Sequence, residues 1–224
     1  MSTSRETILA RLRAARGTPF AHANPRAADP GLAHAAWVAR QPGLGDLAEG
    51  FCEAQRAVGS QVVRAPTWDA LPAAVTPWLG AFGIRSAITG RAPRLEDLRR
   101  HLAGLGVRVG RYERPVEEQR DELFATDLGI TTSTGGIAET GSIVLMPSPE
   151  EPRLLSLAVP VHLAIVETAR LVPTLADFIR GGAYQERLPA NLVLVSSASR
   201  TADIELVLAM GVHGPKTLLV ALVG

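Results

Sequence analysis

The sequence predicts an α/β domain built on a largely parallel sheet flanked by helices. Two observations carry this. Helix-period and strand-period segments alternate at short intervals from Asp46 onward. Several of the strand candidates, such as Val161-His162-Leu163-Ala164-Ile165-Val166, are continuous apolar runs, the pattern of strands covered on both faces.

In chain order, Arg5 to about Arg16 has a narrow apolar stripe at Ile8, Leu9 and Leu12, capped by Thr3 or Ser4. Residues 18 to 45 are rich in Ala, Pro, Gly and His without a clear period. Residues 1–45 are therefore read as an N-terminal helical or irregular arm and 46–224 as the α/β domain. Leu47 to Val58 reads as a helix stopped by Gly59, followed by the strand Gln61 to Arg64. A second helix, Trp68 to Phe82, carries Trp68, Leu71, Val75, Trp78, Leu79 and Phe82 at helical spacing. Pro72 and Pro77 predict a capped start and a kink. Ser86 to Thr89 is the next strand, then a helix Leu95 to Leu105 and a strand Val107 to Val109. Pro115 to Ala125 is a charged helix whose Val116, Leu123 and Phe124 would cover a sheet face.

Leu128 to Met146 is the stretch richest in chemistry. A run of hydroxyls, Thr131, Thr132, Ser133 and Thr134, meets Gly135-Gly136. Then come Ile137-Ala138-Glu139-Thr140-Gly141 and the apolar run Ser142 to Met146. Such a loop can turn its N–H groups toward an anion or carbonyl, with Glu139 as nucleophile, base or ligand to a substrate hydroxyl. The same residues also fit a β-hairpin with a solvated glutamate, and the residues alone leave both open. Beyond Glu150-Glu151-Pro152, a turn, come the strand Val161 to Val166 and a short helix, Pro173 to Ile179. A second buried strand, Asn191 to Val195, runs into Ser196-Ser197-Ala198-Ser199-Arg200-Thr201 and a helix Ala202 to Met210. The free N–H groups of that helix and Arg200 could grip a carboxylate or phosphate. Asp203 and Glu205 could equally satisfy the helix end themselves. The chain ends on a strand, Leu218 to Val223.

Composition excludes several classes. A net charge of +1 gives no electrostatic case for nucleic acid. One cysteine, Cys52, excludes an internal disulfide and a cluster held by four thiolates of this chain. No two histidines have zinc-ligand spacing, so no metal is predicted. The dinucleotide and serine-elbow fingerprints are missing, so no cofactor is either. Gly211-Val212-His213-Gly214-Pro215-Lys216-Thr217 fails as a phosphate loop because Pro215 takes a glycine position and a strand follows. His213 and Lys216 could still line a site. His162, inside an apolar strand, is read as a hydrogen-bonded core histidine. No signal peptide and no bilayer-length apolar run are present, so the expectation is cytoplasmic.

Gly135 to Leu145 (GGIAETGSIVL), the PRLLSLAVPVHLAIV segment and Ser199 to Leu218 (SRTADIELVLAMGVHGPKTL) together resemble the LUD-domain family, of the lactate-utilisation protein C (LutC/YkgG) type. The resemblance implies a NagB/RpiA/CoA-transferase-like fold. It also implies membership of a system that oxidises L-lactate to pyruvate with iron–sulfur partner proteins, this chain being the cluster-free, non-redox component. The competing reading is a CoA-transferase-like enzyme acting on a small carboxylate or acyl substrate, with Glu139 as catalytic carboxylate. Under either reading a small carboxylate or CoA-like ligand would meet Thr134, Gly135, Gly136, Thr140, Gly141, Ser199, Arg200, Thr201, His213 and Lys216. A homo-oligomer stays open.

Overall fold

The structure is a computed structural model that describes residues 46–181, 191–202 and 208–224, with Ala10 besides. All but Ala10 belong to the unit Gln41–Gly224. The arm predicted over 1–45 otherwise lies outside them, as do Asp203 and Glu205.

Four helix–strand units open the domain: α1 (Leu47–Ala57) and β1 (Gln61–Ala65), α2 (Leu71–Ala81) and β2 (Ser86–Thr89), α3 (Glu96–Gly104) and β3 (Arg108–Arg111), α4 (Val116–Phe124) and β4 (Leu128–Thr132). Then come β5 (Gly135–Ile137), β6 (Ser142–Leu145), β7 (Val161–Glu167), β8 (Leu171–Val172), α5 (Leu175–Gly181), β9 (Val193–Val195), β10 (Arg200–Ala202), β11 (Leu208–Met210) and β12 (Thr217–Val223). Six strands form one sheet in the order β1-β12-β7-β4-β2-β3, and every pair in it is parallel. The fold class read from the sequence holds.

Alternation along the central strands explains why they are apolar throughout. Leu219, Ala221 and Val223 of β12, Leu163 and Ile165 of β7, and Leu128 and Ile130 of β4 pack with Leu71, Val75, Leu98 and Leu102 of α2 and α3. Leu218, Val220 and Leu222 with Ala164 and Val166 point to the other face and pack with Ala48, Phe51 and Cys52 of α1. Side chains alternate across a strand, so a two-sided sheet needs both sets. α1 begins where Asp46 Oδ1 accepts from Ala48 N at 3.0 Å and Glu49 N at 3.1 Å. Asp127 ties the amino ends of β2 and β4, its Oδ2 accepting from Arg85 N, Ser86 N and Ser86 Oγ at 2.9 Å each. Burial alone would raise its pKa, but those bonds outweigh burial and hold the carboxyl below its ordinary value.

Several expectations are corrected. Of the helix predicted over Ala202 to Met210, the described ends are strands instead, β10 and β11 pairing antiparallel with Arg200 opposite Met210, and residues 203–207 lie outside the described residues. Leu- and Ala-rich composition suits a helix, but Gly211 N donates to Ser199 O at 2.9 Å and Ser199 N to Pro215 O at 2.8 Å. These bonds bring the two segments side by side, and tertiary pairing overrides weak helix propensity. Asn191 to Val195 is not a buried strand of the main sheet. Only Val193–Val195 is extended, as an antiparallel edge on β6, with Leu194 40% exposed. A short apolar run does not say whether one face or two are covered. α2 starts at Leu71, later than Trp68, and its first turn lacks the expected side-chain cap. Phe124 stands out at 60% exposure while Leu123 is fully buried, since one helical step rotates it off the sheet.

Candidate functional site

The glycine-rich stretch is the hairpin that the residues had left open. β5 and β6 pair antiparallel, Gly136 opposite Ile143, and β8 and β9 flank them in a four-stranded sheet. Gly135 and Gly136 are strand residues whose missing side chains make room. A Cβ on Gly135 would fall 2.7 Å from Arg170 O, and one on Gly136 2.7 Å from Leu171 Cδ2 and 2.9 Å from Phe51 Cε2. Gly141 alone in the hairpin has a positive φ, +64°, and its carbonyl accepts from the buried Gln55 Nε2 of α1. Glu139 is exposed in the turn, and its N–H donates to Pro173 O at 3.0 Å. Thr140 Oγ1 and Ser142 Oγ are 2.7 Å apart, as are Ser142 Oγ and Ser196 Oγ.

The second predicted wall also serves the backbone. Arg200 Nη2 donates to Val58 O at 2.6 Å, where α1 ends, and a cation there complements the helix C-terminus. Ser199 Oγ accepts from His213 N at 3.3 Å. Thr201 lies in β10. His213 and Lys216 are exposed, and the Lys216 stem crosses Gly211, where a Cβ would fall 2.2 Å from Lys216 Cγ. Both predicted walls therefore reach α1, through Gln55 and Val58, by bonds that hold the chain together.

A cavity of about 190 Å³ opens instead at the other end of the hairpin, at the carboxyl end of β4. β5 carries the chain roughly 10 Å from Thr134 to Ile137 before the turn that holds Glu139, and Glu139 is not among the cavity's lining residues. The floor is hydroxyl-rich: Thr131, Thr132 and Ser133, with Thr134 from the predicted set and Ser156 from the turn before β7. Arg153, Arg170 and Glu151 bring the charges, Leu145, Met146 and Pro147 an apolar side. Ligands in open parallel sheets sit beyond the strands' carboxyl ends.

Each polar group here has a definite state. Glu151 Oε1 accepts from Thr132 N at 2.8 Å and Oε2 from the Thr132 hydroxyl, so the carboxylate is anchored to the strand end. Arg170 pairs with Glu167 at 3.2 Å, which Arg94 also grips at 2.6 Å. Among the described residues Arg153 makes no ion pair. Ser133 Oγ is buried and has no hydrogen-bond partner. Thr131 Oγ1 lies 2.9 Å from Nε2 of His162, whose ring is fully buried. Burial pushes the His162 pKa down to about 4, so the ring is neutral. His162 Nδ1 has no partner. A buried N–H is rarely left unpaired, and a lone pair is left so more often. The favoured tautomer thus has Nε2–H donating to Thr131, whose own hydrogen is then free to turn to the cavity.

Sequence reasoning located Thr134 and the hydroxyl run but not Glu151, Arg153, Ser156 or Arg170. The signal is Glu150-Glu151-Pro152-Arg153, a charged cluster shortly after a buried strand that the sequence alone presents only as a turn. Cys52 is buried in α1, and burial raises its thiol above the ordinary value. Among the described residues no three His, Cys, Asp or Glu side chains gather as metal ligands, and no helix is long and apolar enough to cross a membrane.

A two-faced parallel sheet with a small polar cavity at its carboxyl edge places the chain in the α/β class. Residues 48–223 match the LUD domain, and the chain belongs to that family, in its lactate-utilisation protein C type. It is 33% identical over 181 residues to an uncharacterised protein of Neisseria meningitidis serogroup B, covering 72% of this chain and 78% of that one. To "Lactate utilization protein C" of Halalkalibacterium halodurans it is 33% identical over 156 residues, 66% of each chain. The Bacillus subtilis protein of that name is 35% identical over 103 residues, 44% of this chain and 43% of its own. The chain thus aligns with two thirds or less of these two lactate-utilisation relatives. A crystal structure of a DUF162 family protein from Deinococcus radiodurans shares the fold with a TM-score of 0.59, at 23% identity, covering 80% of this chain and 98% of that one.

Proposed function

We propose that this chain is a non-redox, ligand-binding component of an L-lactate-oxidising system and works there beside iron–sulfur proteins. The observation that carries the reading is the LUD-domain match over 48–223 together with relatives named for lactate utilisation. The cavity at the end of β4 supports a binding role. With Cys52 as the only thiol, cluster chemistry falls to the partners. Glu139, exposed at a hairpin turn away from that cavity, gives the enzyme reading little support.

Deletion of the gene tests this. The deleted strain is expected to fail on L-lactate as sole carbon source, to grow on pyruvate, and to recover with the wild-type chain. Growth on L-lactate without the gene would overturn the proposal. Glu139→Gln is expected to complement fully; failure at equal expression would restore the catalytic reading of Glu139.

A further inference from the structure

The groups in the β4 cavity form a pattern that selects one ligand chemistry. Its volume of about 190 Å³ is below the roughly 300–1,000 Å³ of pockets for larger organic ligands, so it suits a molecule of a few heavy atoms. Arg153 supplies a guanidinium with no ion pair among the described residues, the natural complement of a carboxylate. Ser133 adds a buried hydroxyl without a partner, a group that gains from any acceptor brought to it. Thr131, held from below by His162, is set to donate as well. In the same lining, Glu151 is fixed by Thr132 N and the Thr132 hydroxyl, with lone pairs left over to accept.

One carboxylate among donors opposes a dianion such as phosphate and leaves an acceptor to satisfy. The ligand that answers both demands is a monoanion with a hydrogen-bond donor close to its carboxylate. We propose that this cavity binds a small monocarboxylate bearing a hydroxyl on the adjacent carbon, its carboxylate on Arg153, Ser133 and Thr131 and its hydroxyl donating to Glu151. The 2-oxo counterpart has the same charge and nearly the same size but no donor, so Glu151 makes it the poorer ligand. Sites built around such a bond discriminate strongly against the analogue that lacks it. This rests on the β4 cavity being the binding site of the component described above. Its test uses purified protein, so it stands apart from the growth experiment.

Isothermal titration of the full chain with L-lactate, pyruvate and inorganic phosphate reads the claim. L-lactate is expected to bind at least about tenfold more tightly than pyruvate, with phosphate weaker still. Arg153→Ala is expected to weaken L-lactate by about 10- to 100-fold, the loss of a charge-assisted pair. Ser133→Ala, a smaller change, is expected to weaken it by up to about tenfold with unchanged circular dichroism. Glu151→Gln places an amide donor in the site and is expected to shift preference toward pyruvate. Pyruvate or phosphate binding as tightly as L-lactate, no saturable binding of L-lactate, or indifference to both Arg153→Ala and Ser133→Ala would each overturn the assignment. If none of the three acids binds while the gene is still needed for growth on L-lactate, only the ligand assignment is lost.

Discussion

The two ends of the β5–β6 hairpin differ in what their polar groups are doing. At the turn, Gly141, Thr140, Ser142 and, nearby, Ser199 and Arg200 engage neighbouring backbone or one another. At the open end, beside β4, Ser133 has no partner and Arg153 no ion pair among the described residues. Motif richness and chemical availability are therefore separate properties. A glycine- and hydroxyl-rich segment can be rich because it turns and packs. The groups available to a ligand are those the fold leaves unsatisfied.

Substitutions can break or sharpen this contrast. The largest effect is expected at Gly129 of β4, two residues before Thr131 of the cavity floor. A Cβ there would lie 2.1 Å from Leu155 O and 2.7 Å from Val159 Cγ2, and backbone cannot swing aside. Gly129→Ala is expected to cost about 3 kcal/mol or more in urea unfolding. A loss under about 1 kcal/mol would mean the turn at 153–156 is looser than drawn.

His162 gives the next effect. Its buried ring stays neutral down to about pH 4, while the unfolded chain's imidazole takes its proton near 6.5. Between those values the unfolded state binds more protons, so stability falls as pH drops from 6.5 toward 4. The span corresponds to about 3 kcal/mol at most. His162→Gln is expected to flatten the unfolding free energy over that window. An unchanged slope would assign it to other groups.

Smaller effects are expected at the second wall. Gly211→Ala meets a positive φ of +76° and the movable Lys216 stem, and is expected to cost about 1–2 kcal/mol. Arg200→Ala removes the donor to Val58 O at the end of α1 and is expected to cost about 1 kcal/mol.

The same contrast explains what was legible in the sequence. β2, β7 and β12 were readable almost to the residue because both faces are covered and a long apolar run has few other uses. β5, β9, β10 and β11 have three residues each, too few to show a period, and their strand identity comes from the segment each one pairs with. The site divides in the same way. Thr134 was found because it continues a conspicuous run. Arg153 and Arg170 meet only because β7 separates them and returns the chain to the same sheet edge, and a single sequence does not display that proximity.

One titration compares the two regions directly: L-lactate into wild type, Arg153→Ala and Arg200→Ala under one set of conditions. The account predicts that Arg153→Ala loses about 10-fold or more in affinity while Arg200→Ala binds like wild type despite its lower stability. Binding that survives Arg153→Ala and disappears with Arg200→Ala would place the site at the other end of the hairpin and contradict it.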